Sequence, residues 1–417
     1  MDAIVERAAG VDVGQAFVVV TVILGAAHER PRKETRTFPT MTRDLLALRE
    51  WLGSVGVTQV GMEVTGVYWK SVHAILEDAF DVIVGNAYHI KNVPGRKTDV
   101  KDSEWLANLV RHGLIARSFI PPPSIRTLRD LMRFRRKLVE SRTTERNRVL
   151  KVLEVGNVKL SAVASDVFGV SGMLMLRALV EGQATPEEIA DLAKGKLRLK
   201  LSDLANALQG ALGDHHRFLL KLQLRRLDLL AEDLDTLDAR IDQEMRPFLA
   251  QHTALQEIPG VSGIVASTLI AELGVDMSMF GDAHRASAWA GLCPGNNESG
   301  GTRRSTSARR GNVHLRTVLV EAAWAASRTR NTYFRDKFHR LRGRGGPRRA
   351  AMAIARKILL AAYAVLSGKA YRELGETYLD ALSRRRTVRS LTRRLERLGF
   401  DVKVTPQVVA ASQGAFS

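Results

Sequence analysis

The sequence predicts a mixed α/β domain followed by a longer, mostly helical region. Strand and helix patterns alternate over the first 115 residues. A break at "PPPS" (121–124) is followed by leucines at spacings of three and four among charged residues, which is typical of long packed helices. Apolar residues make up 45% of the chain and charged residues 26%, a balance typical of folded proteins.

The N-terminal part begins with strands and continues with alternating helices and strands. "GVDVG" (10–14) and the β-branched run "FVVVTVIL" (17–24) predict two strands joined by a tight turn, and "RTFPT" (36–40) ends a third. After these, the periodicity predicts helices over 44–52, 66–80 and 97–113 and strands over 57–64 and 81–85. Hairpin strands followed by βαβ units predict a mixed sheet with helices packed against it.

The rest of the chain is predicted to be helical. Long charged helices over 125–155 and 216–245 have the leucine spacing of a coiled coil or bundle, with several short helices between them. We consider two arrangements, pairing of two chains and a hairpin within one chain. Further helices are predicted over 312–328, 347–368 and 383–399, and "GRGGPRR" (343–349) reads as a basic connector. The predicted domains are residues 1–120, 121–250, 251–370 and a basic tail, 371–417.

Residues 255–274, "LQEIPGVSGIVASTLIAELG", predict two helices joined by a "PGVSG" turn. This is a helix–hairpin–helix pattern, whose turn amides at a helix start are able to hold a phosphate. A plain helical corner fits the same segment equally well.

Charge and cysteine content restrict the classes of protein and partner. There are 63 Lys and Arg against 44 Asp and Glu, a net charge of +19, which favours a nucleic acid partner over the alternative of a merely Arg-rich composition. Cys293 is the single cysteine, so disulfides and Cys-based zinc sites are excluded. The N-terminus has no signal-peptide pattern, and the longest apolar stretch (16–27) is too short to span a membrane. We therefore expect a cytoplasmic protein without a membrane partner.

Carboxylates stand where several predicted elements begin or end. Asp12 ends the first strand, Glu63 lies near the end of the fourth, and Asp99 and Asp102 share one face at the start of a helix. If the first and fourth strands are neighbours, these acids meet at one edge. Oxygen ligands alone suit Mg²⁺ or Mn²⁺, and two such ions stabilise the attacking and leaving oxygens of a phosphodiester. Taken singly, each acid also fits a structural role, as a turn or helix cap.

A serine stands in an unusual basic stretch, "NNESGGTRRSTSARRGN" (296–312). Ser299 is followed by Gly300 and Gly301, which let a bulky group approach the backbone. Cations suited to phosphate follow, namely Arg303, Arg304, Arg309 and Arg310. Taken alone, the stretch also fits a flexible basic loop.

Several separated motifs, in order, resemble one protein family. They are "GVDVG", "MEVTGVYW", "GRKTDVKDSEWLANL", "IPGVSGIVASTLIAELG", "ASAWAGLCPGNNESGGTRRS" and "RRGNVHLRTVLVEAAWAA". Together they resemble the transposases of the IS110 group of insertion sequences, from about residue 8 to about residue 370. The resemblance does not extend to the Arg-rich tail, and residues 156–215 form a longer segment than in the shorter members.

The resemblance implies a fold and a set of site residues. The N-terminal domain is expected to be RuvC-like, of the RNase H fold, with a catalytic, metal-binding tetrad formed by Asp12, Glu63, Asp99 and Asp102. A coiled-coil segment is expected to link it to a transposase domain whose nucleophile is Ser299. The cofactor implied is Mg²⁺ or Mn²⁺.

The resemblance also implies an activity and partners. We expect metal-dependent cleavage and exchange of donor and target DNA strands through a phosphoserine link, guided by a structured bridge RNA from the element. Homodimers joining into tetramers are expected. One alternative is a RuvC-type nuclease or Holliday-junction resolvase that uses activated water, and another is a nucleic-acid-binding protein without chemistry.

Overall fold

The computed structural model describes residues 3–26, 28, 30–64, 66–93, 102–294, 297–300, 302–305, 308 and 311–405. For 297–299 and 302–305 only the backbone is described. The chain divides into two compact units, Met1–Ile120 and Pro121–Ser417, which are described separately below.

The N-terminal unit is built on a five-stranded mixed sheet. Its strands are β1 (Arg7–Val13), β2 (Phe17–Leu24), β3 (Arg32–Pro39), β4 (Gln59–Glu63) and β5 (Asp81–Gly85). Their order is β3-β2-β1-β4-β5, antiparallel among β1, β2 and β3 and parallel among β1, β4 and β5. The mixed sheet is confirmed, and so is the adjacency of the first and fourth strands. This α/β arrangement is consistent with an RNase H-like domain.

Helices cover both faces of this sheet. They are α1 (Thr42–Ser54), α2 (Trp69–Leu76), α3 (Ala87–Lys91) and α4 (Asp102–Arg111). Alternate β1 residues Ala9, Val11 and Val13 join the core beneath α1 and α2, whereas Ala8 joins a smaller core with Leu106 of α4. Because β1 is buried on both faces, its sequence is apolar rather than alternating.

Two long helices begin the C-terminal unit. α5 (Pro123–Val155) and, further along the chain, α10 (Asp214–Met245) pack against each other, with Arg135 bound to Asp238 and Glu145 facing Arg226. These pairs run in opposite directions along the two helices, so the helices are antiparallel. The structure thus has the hairpin within one chain, and pairing of two chains stays a prediction.

Residues between these helices form a small helical subdomain. Its helices are α6 (Leu160–Val163), α7 (Val170–Glu181), α8 (Pro186–Asp191) and α9 (Leu201–Leu208), with a 3₁₀ segment at Gly195–Lys200. Thr185 and Glu188 form a capping box at the start of α8. Apolar residues of these helices share one core with the adjoining ends of α5 and α10, so the subdomain packs firmly against the long helices.

In the described part of the remaining chain, the elements are helices and one short hairpin. Its elements are α11 (Leu249–Gln256), α12 (Gly263–Leu273), α13 (Ala283–Trp289), β6 (Asn297–Ser299), β7 (Thr302–Ser305), α14 (Val313–Ala326), α15 (Tyr333–Gly345), α16 (Pro347–Leu366), α17 (Tyr378–Leu382) and α18 (Arg384–Arg397), with 3₁₀ turns at Arg246–Phe248 and Met277–Phe280. The connector predicted over 343–349 is wrong: α15 ends at Gly345 and α16 begins at Pro347, leaving only Gly346 between them.

Two helices joined by a turn are present over 255–274. Ser262 caps α12 by accepting from the Val265 amide at 3.4 Å. Gly260, at φ +87°, packs against α14, where a β-carbon would lie 2.3 Å from the Ala322 carbonyl oxygen. Phosphate binding by this turn stays a prediction.

Within the described part of the chain, no helix is both long and apolar enough to cross a membrane.

Candidate active site

Two of the predicted acids lie at the same edge of the sheet. β1 and β4 are parallel, and their last paired residues are Val11 and Met62. Asp12 and Glu63 follow directly, so the two carboxylates leave the sheet side by side. Asp12 is exposed and Glu63 is half-buried. The side-by-side placement predicted from the strand order is therefore what the structure has.

Helix α4 brings Asp102 to this edge by packing closely on two strand glycines. A β-carbon on Gly10 would lie 2.1 Å from the Ser103 carbonyl oxygen, and one on Gly61 would lie 2.3 Å from Cγ2 of Val110. The far end of α4 lies at the start of β1, where the Arg111 carbonyl accepts from the Ile4 amide at 2.9 Å. Because the helix is antiparallel to β1, its first residue, Asp102, lies near the strand end that carries Asp12.

A buried hydroxyl contact fixes the start of α4. The Ser103 and Thr21 hydroxyls are 2.8 Å apart, and Thr21 lies 2.9 Å from the Thr35 hydroxyl. Thr21 pairs with Gly10 in the sheet, so the contact lies beside the glycine on which the helix rests. The position of Asp102 is thus held by packing and by hydrogen bonds one residue away.

The carboxylates at this edge interact. Partial burial and the Asp102 carboxylate both raise the pKa of Asp12 above its ordinary value of 3.8, burial being the larger cause. Part of the Asp12 residue is open to solvent, so the effect on stability is modest. Two like charges near one another favour a bound cation, which is the chemistry that carboxylate oxygens offer to Mg²⁺.

The structure describes three of the four residues of the predicted tetrad. Asp99 lies outside the described residues. Among the residues that are described, no three acids, histidines or cysteines stand together as a metal-binding group. Asp12, Glu63 and Asp102 share one edge and offer only oxygen donors, which fits a hard divalent cation, and the fourth predicted ligand is the one that is not described.

The close contact between α4 and Gly10 leads to a testable expectation. Gly10→Ala forces α4 away from β1, because the new methyl group overlaps backbone atoms, and we expect a loss of about 1–3 kcal/mol in the free energy of unfolding. Gly53→Ala in α1 is the matched control, since its β-carbon meets nothing within 4 Å, and it is expected to gain up to about 1 kcal/mol. Urea denaturation measures both, and an equal response of the two variants would contradict this packing.

Ser299 ends the first strand of a short hairpin. β6 and β7 pair with Ser299 opposite Thr302 and Glu298 opposite Arg303. Gly300, in the turn, has φ +59° and no atom within 4 Å of a notional β-carbon. The backbone of the turn after Ser299 thus favours glycine at position 300, and the predicted room for a bulky group beside Ser299 stays a prediction.

The base of this hairpin is packed against the helical part of the unit. Pro294 and Ala308 form an isolated bridge, and Asn312 donates from its amide to the Trp289 carbonyl at 3.1 Å. A β-carbon on Gly311 would lie 2.3 Å from the amide nitrogen of Gly291. Of the residues predicted to bind nucleic acid, Gly300 lies in the hairpin turn, Arg303 and Arg304 lie on β7, where only the backbone is described, and Arg309 and Arg310 lie outside the described residues.

A buried carboxylate below the hairpin was missed by sequence reasoning. Glu272 of α12 has a side chain only 1% exposed, and Arg133 of α5 donates to it from Nε at 2.8 Å and Nη2 at 2.9 Å. Asn312 donates its side-chain amide to the same carboxylate at 2.6 Å and also caps α14 by accepting from Leu315. Glu272 therefore ties α5 and α12 to the residue at which the hairpin segment rejoins the helices.

Opposing effects set the pKa of Glu272. Burial raises it, but hydrogen bonds and charge from Arg133, with further contributions from Asn312 and Arg129, outweigh burial and lower the pKa below 4.5. The carboxylate is therefore ionised at neutral pH. The only signal in the sequence was one acid within an otherwise apolar stretch, "GIVASTLIAELG".

Two family models match this chain. Residues 9–156 match the DEDD domain of IS110 transposases, described as "Transposase", and residues 252–339 match the "Transposase IS116/IS110/IS902 family". The first match contains the mixed sheet with its acidic edge, the second lies in the helical unit, and both models describe transposase domains. The chain belongs to the IS110 family of transposases.

One curated relative carries a consistent description. A "Probable family 20 transposase" of Pseudomonas aeruginosa is 30% identical over 105 residues, covering 24% of this chain and 31% of the relative. The match thus spans about a third of that protein's length. Because the second match is to a transposase domain, the alternative of a RuvC-type resolvase is not favoured.

Proposed function

We propose that the protein cleaves and exchanges DNA strands, with Ser299 as the nucleophile and Asp12, Glu63, Asp99 and Asp102 as ligands of divalent metal. The observation that carries the proposal is the packing of α4 on Gly10, which brings Asp102 close enough to Asp12 to raise its pKa. The family match supports DNA as the substrate.

The chemistry at Ser299 is an exchange of esters. Oγ forms a bond to a DNA phosphorus, the bond from that phosphorus to a deoxyribose oxygen breaks, the serine loses its proton and the leaving oxygen gains one. A hydroxyl of another strand then attacks the phosphoserine and releases Oγ. Since each step replaces one phosphate ester with another, rejoining needs no ATP. Mg²⁺, when bound, offsets charge on the phosphate and lowers the pKa of a bound hydroxyl.

Partners remain part of the proposal. The net charge of +19 fits a polyanionic substrate, and a bridge RNA that selects donor and target DNA follows from the family resemblance. Dimers joining into tetramers follow from the same resemblance. Light scattering on the purified protein with nucleic acid tests the assembly, because a strict monomer would contradict it.

The test of the nucleophile compares two serines of one hairpin. Ser299→Ala is expected to remove strand cleavage and any denaturation-resistant protein–DNA adduct, because the remaining methyl group has no oxygen to attack phosphorus. Ser305→Ala, at the far end of β7, is the control and is expected to retain both. Cleavage with Mg²⁺, element DNA and RNA from its non-coding ends is followed on denaturing gels. Cleavage by Ser299→Ala at the wild-type level would contradict the proposal that Ser299 is the nucleophile.

A further inference from the structure

Two neighbouring grooves on the C-terminal unit share a wall. The first, of 660 Å³, lies among α13, α15, α16 and the hairpin base at Pro294 and Ala308. The second, of 490 Å³, lies among α15, α17 and α18. Lys337 and Leu341 of α15 line both, so the two grooves adjoin at this helix, one reaching the hairpin base and the other reaching α18.

The first groove is strongly basic. It is lined by five cations and no acid, the cations being Lys337, Arg348, Arg349, Arg356 and Lys357. None of the five has an ion-pair partner among the residues that the structure describes. The nearby protein groups are uncharged or aromatic: Arg356 Nη2 lies 3.2 Å from His284 Nδ1, and Lys357 stands 5.5 Å from the Tyr333 ring centre. Within the described part of the chain, no carboxylate forms an ion pair with these five cations.

Folding does not explain two of these cations. Arg348 and Arg349 follow Pro347 in the first turn of α16, which contains no acid. The positive end of the helix dipole disfavours cations in that turn. The buried Nε of Arg356 also has no hydrogen-bond acceptor among the described residues. An anion in the groove would remove both sources of instability.

The second groove continues the positive charge. Its one acid, Asp380, is bound to Arg340 at 2.7 Å, which leaves Lys337, Arg344 and Arg386 without an ion-pair partner among the described residues. From Arg386, helical spacing places further arginines on the same face of α18, namely Arg389, Arg393 and Arg397. We call the cations of the two grooves, Lys337, Arg344, Arg348, Arg349, Arg356, Lys357 and Arg386, the basic track.

We propose that the basic track binds the sugar–phosphate backbone of the DNA strand that Ser299 attacks. The proposal rests on the function proposed above and adds the path of the strand. The track begins at the base of the hairpin that carries Ser299, so a strand lying in it leads to that hairpin. A row of cations that form no ion pair with any described residue matches the regular charge of a phosphate backbone, and the apolar side chains of Leu292, Met352 and Leu360 suit deoxyribose.

DNA binding by full-length protein with Ser299→Ala tests the proposal, because binding is then separated from chemistry. A fluorescein-labelled duplex is titrated at several salt concentrations, and fluorescence anisotropy gives the dissociation constant. Arg348→Gln with Arg349→Gln is expected to weaken binding about tenfold and to reduce the salt slope by about two, one for each lost phosphate contact. Arg386→Gln alone probes the second groove and is expected to reduce the slope by about one.

The matched control removes the same charge elsewhere. Lys221→Gln with Arg225→Gln lies on the exposed side of α10 and is expected to leave the affinity within about twofold. Equal weakening by track and control variants would show a general charge effect and overturn the proposal. So would unchanged DNA binding with a loss of affinity for RNA alone, or for anionic vesicles alone. If protein with Ser299 intact forms no adduct with DNA, the proposal that Ser299 is the nucleophile is wrong. The DNA affinities of the variants still test whether the basic track binds DNA.

Discussion

Asp12→Asn is expected to lower the rate of DNA strand cleavage on the order of 10³-fold, because the amide removes one anionic ligand and with it much of the stabilisation of charge at phosphorus. The substitution keeps the size of the side chain. The protein is expected to fold and to bind DNA normally. Single-turnover cleavage of a labelled DNA in Mg²⁺ measures the effect. A variant with the wild-type rate would show that Asp12 is structural.

The same substitution is expected to leave the metal-free protein at least as stable. Burial and Asp102 raise the pKa of Asp12, so the ionised carboxylate lowers the stability of the folded protein. The neutral amide of asparagine does not have this unfavourable effect. The raised pKa also has a consequence for pH: in metal-free protein this carboxylate opposes folding more as pH rises through its pKa, and the effect is absent in Asp12→Asn. We expect the free energy of unfolding to change by less than about 1 kcal/mol.

Magnesium distinguishes the two proteins without any assay of activity. A ligand that binds only the folded state raises its stability by about 2.7 kcal/mol at a concentration one hundred times its dissociation constant. We expect Mg²⁺ to raise the melting temperature of the wild type and to raise that of Asp12→Asn much less. An equal rise in both would contradict a metal site at this edge of the sheet.

Glu272→Ala is expected to lower the free energy of unfolding of the C-terminal unit by about 3–5 kcal/mol. Arg133 and Asn312 lose a shared acceptor, and Arg129, whose side chain is 14% exposed, loses a carboxylate 3.4 Å away. Glu321→Ala is the control, because Glu321 is exposed and only 3.4 Å from Arg136, and about 0.5 kcal/mol or less is expected. Denaturant unfolding of the full-length variants measures the difference, and similar losses in both would contradict the role of Glu272.

The Glu272 network also predicts a pH dependence. Its pKa is lower in the folded chain than the ordinary value of 4.5, so its contribution to stability is complete above that value and is lost as pH falls through the folded pKa. Glu272→Gln removes this dependence while preserving the shape of the side chain. Acid unfolding curves of wild type and Glu272→Gln are therefore expected to converge at low pH.

Much of the N-terminal fold could be predicted from local pattern. The run "FVVVTVIL" coincides with β2, and strand order and parallel pairing place Asp12 beside Glu63. The contact of α4 with Gly10 could not be predicted, because a glycine in a strand is as compatible with a bulge as with a helix packed closely above it.

Other features depend on partners far apart in the chain. Glu272 meets Arg133, 139 residues away, and no local periodicity marks that pair. The strands beside Ser299 are three and four residues long and polar, so they lack the alternation by which strands are recognised. The antiparallel packing of α5 and α10 depends on the turn of the chain through the inserted helices, and leucine spacing alone fits two chains equally well.

Metal-dependent attack by Ser299 on DNA is tested most directly by mapping the covalent product. Full-length protein is incubated with Mg²⁺, element DNA and its RNA, then denatured, digested and analysed by mass spectrometry. We expect one DNA-linked peptide, attached through Ser299, absent with EDTA and absent from Asp12→Asn. Cleaved DNA with no linked peptide, or a linked peptide that forms without metal, would contradict the account.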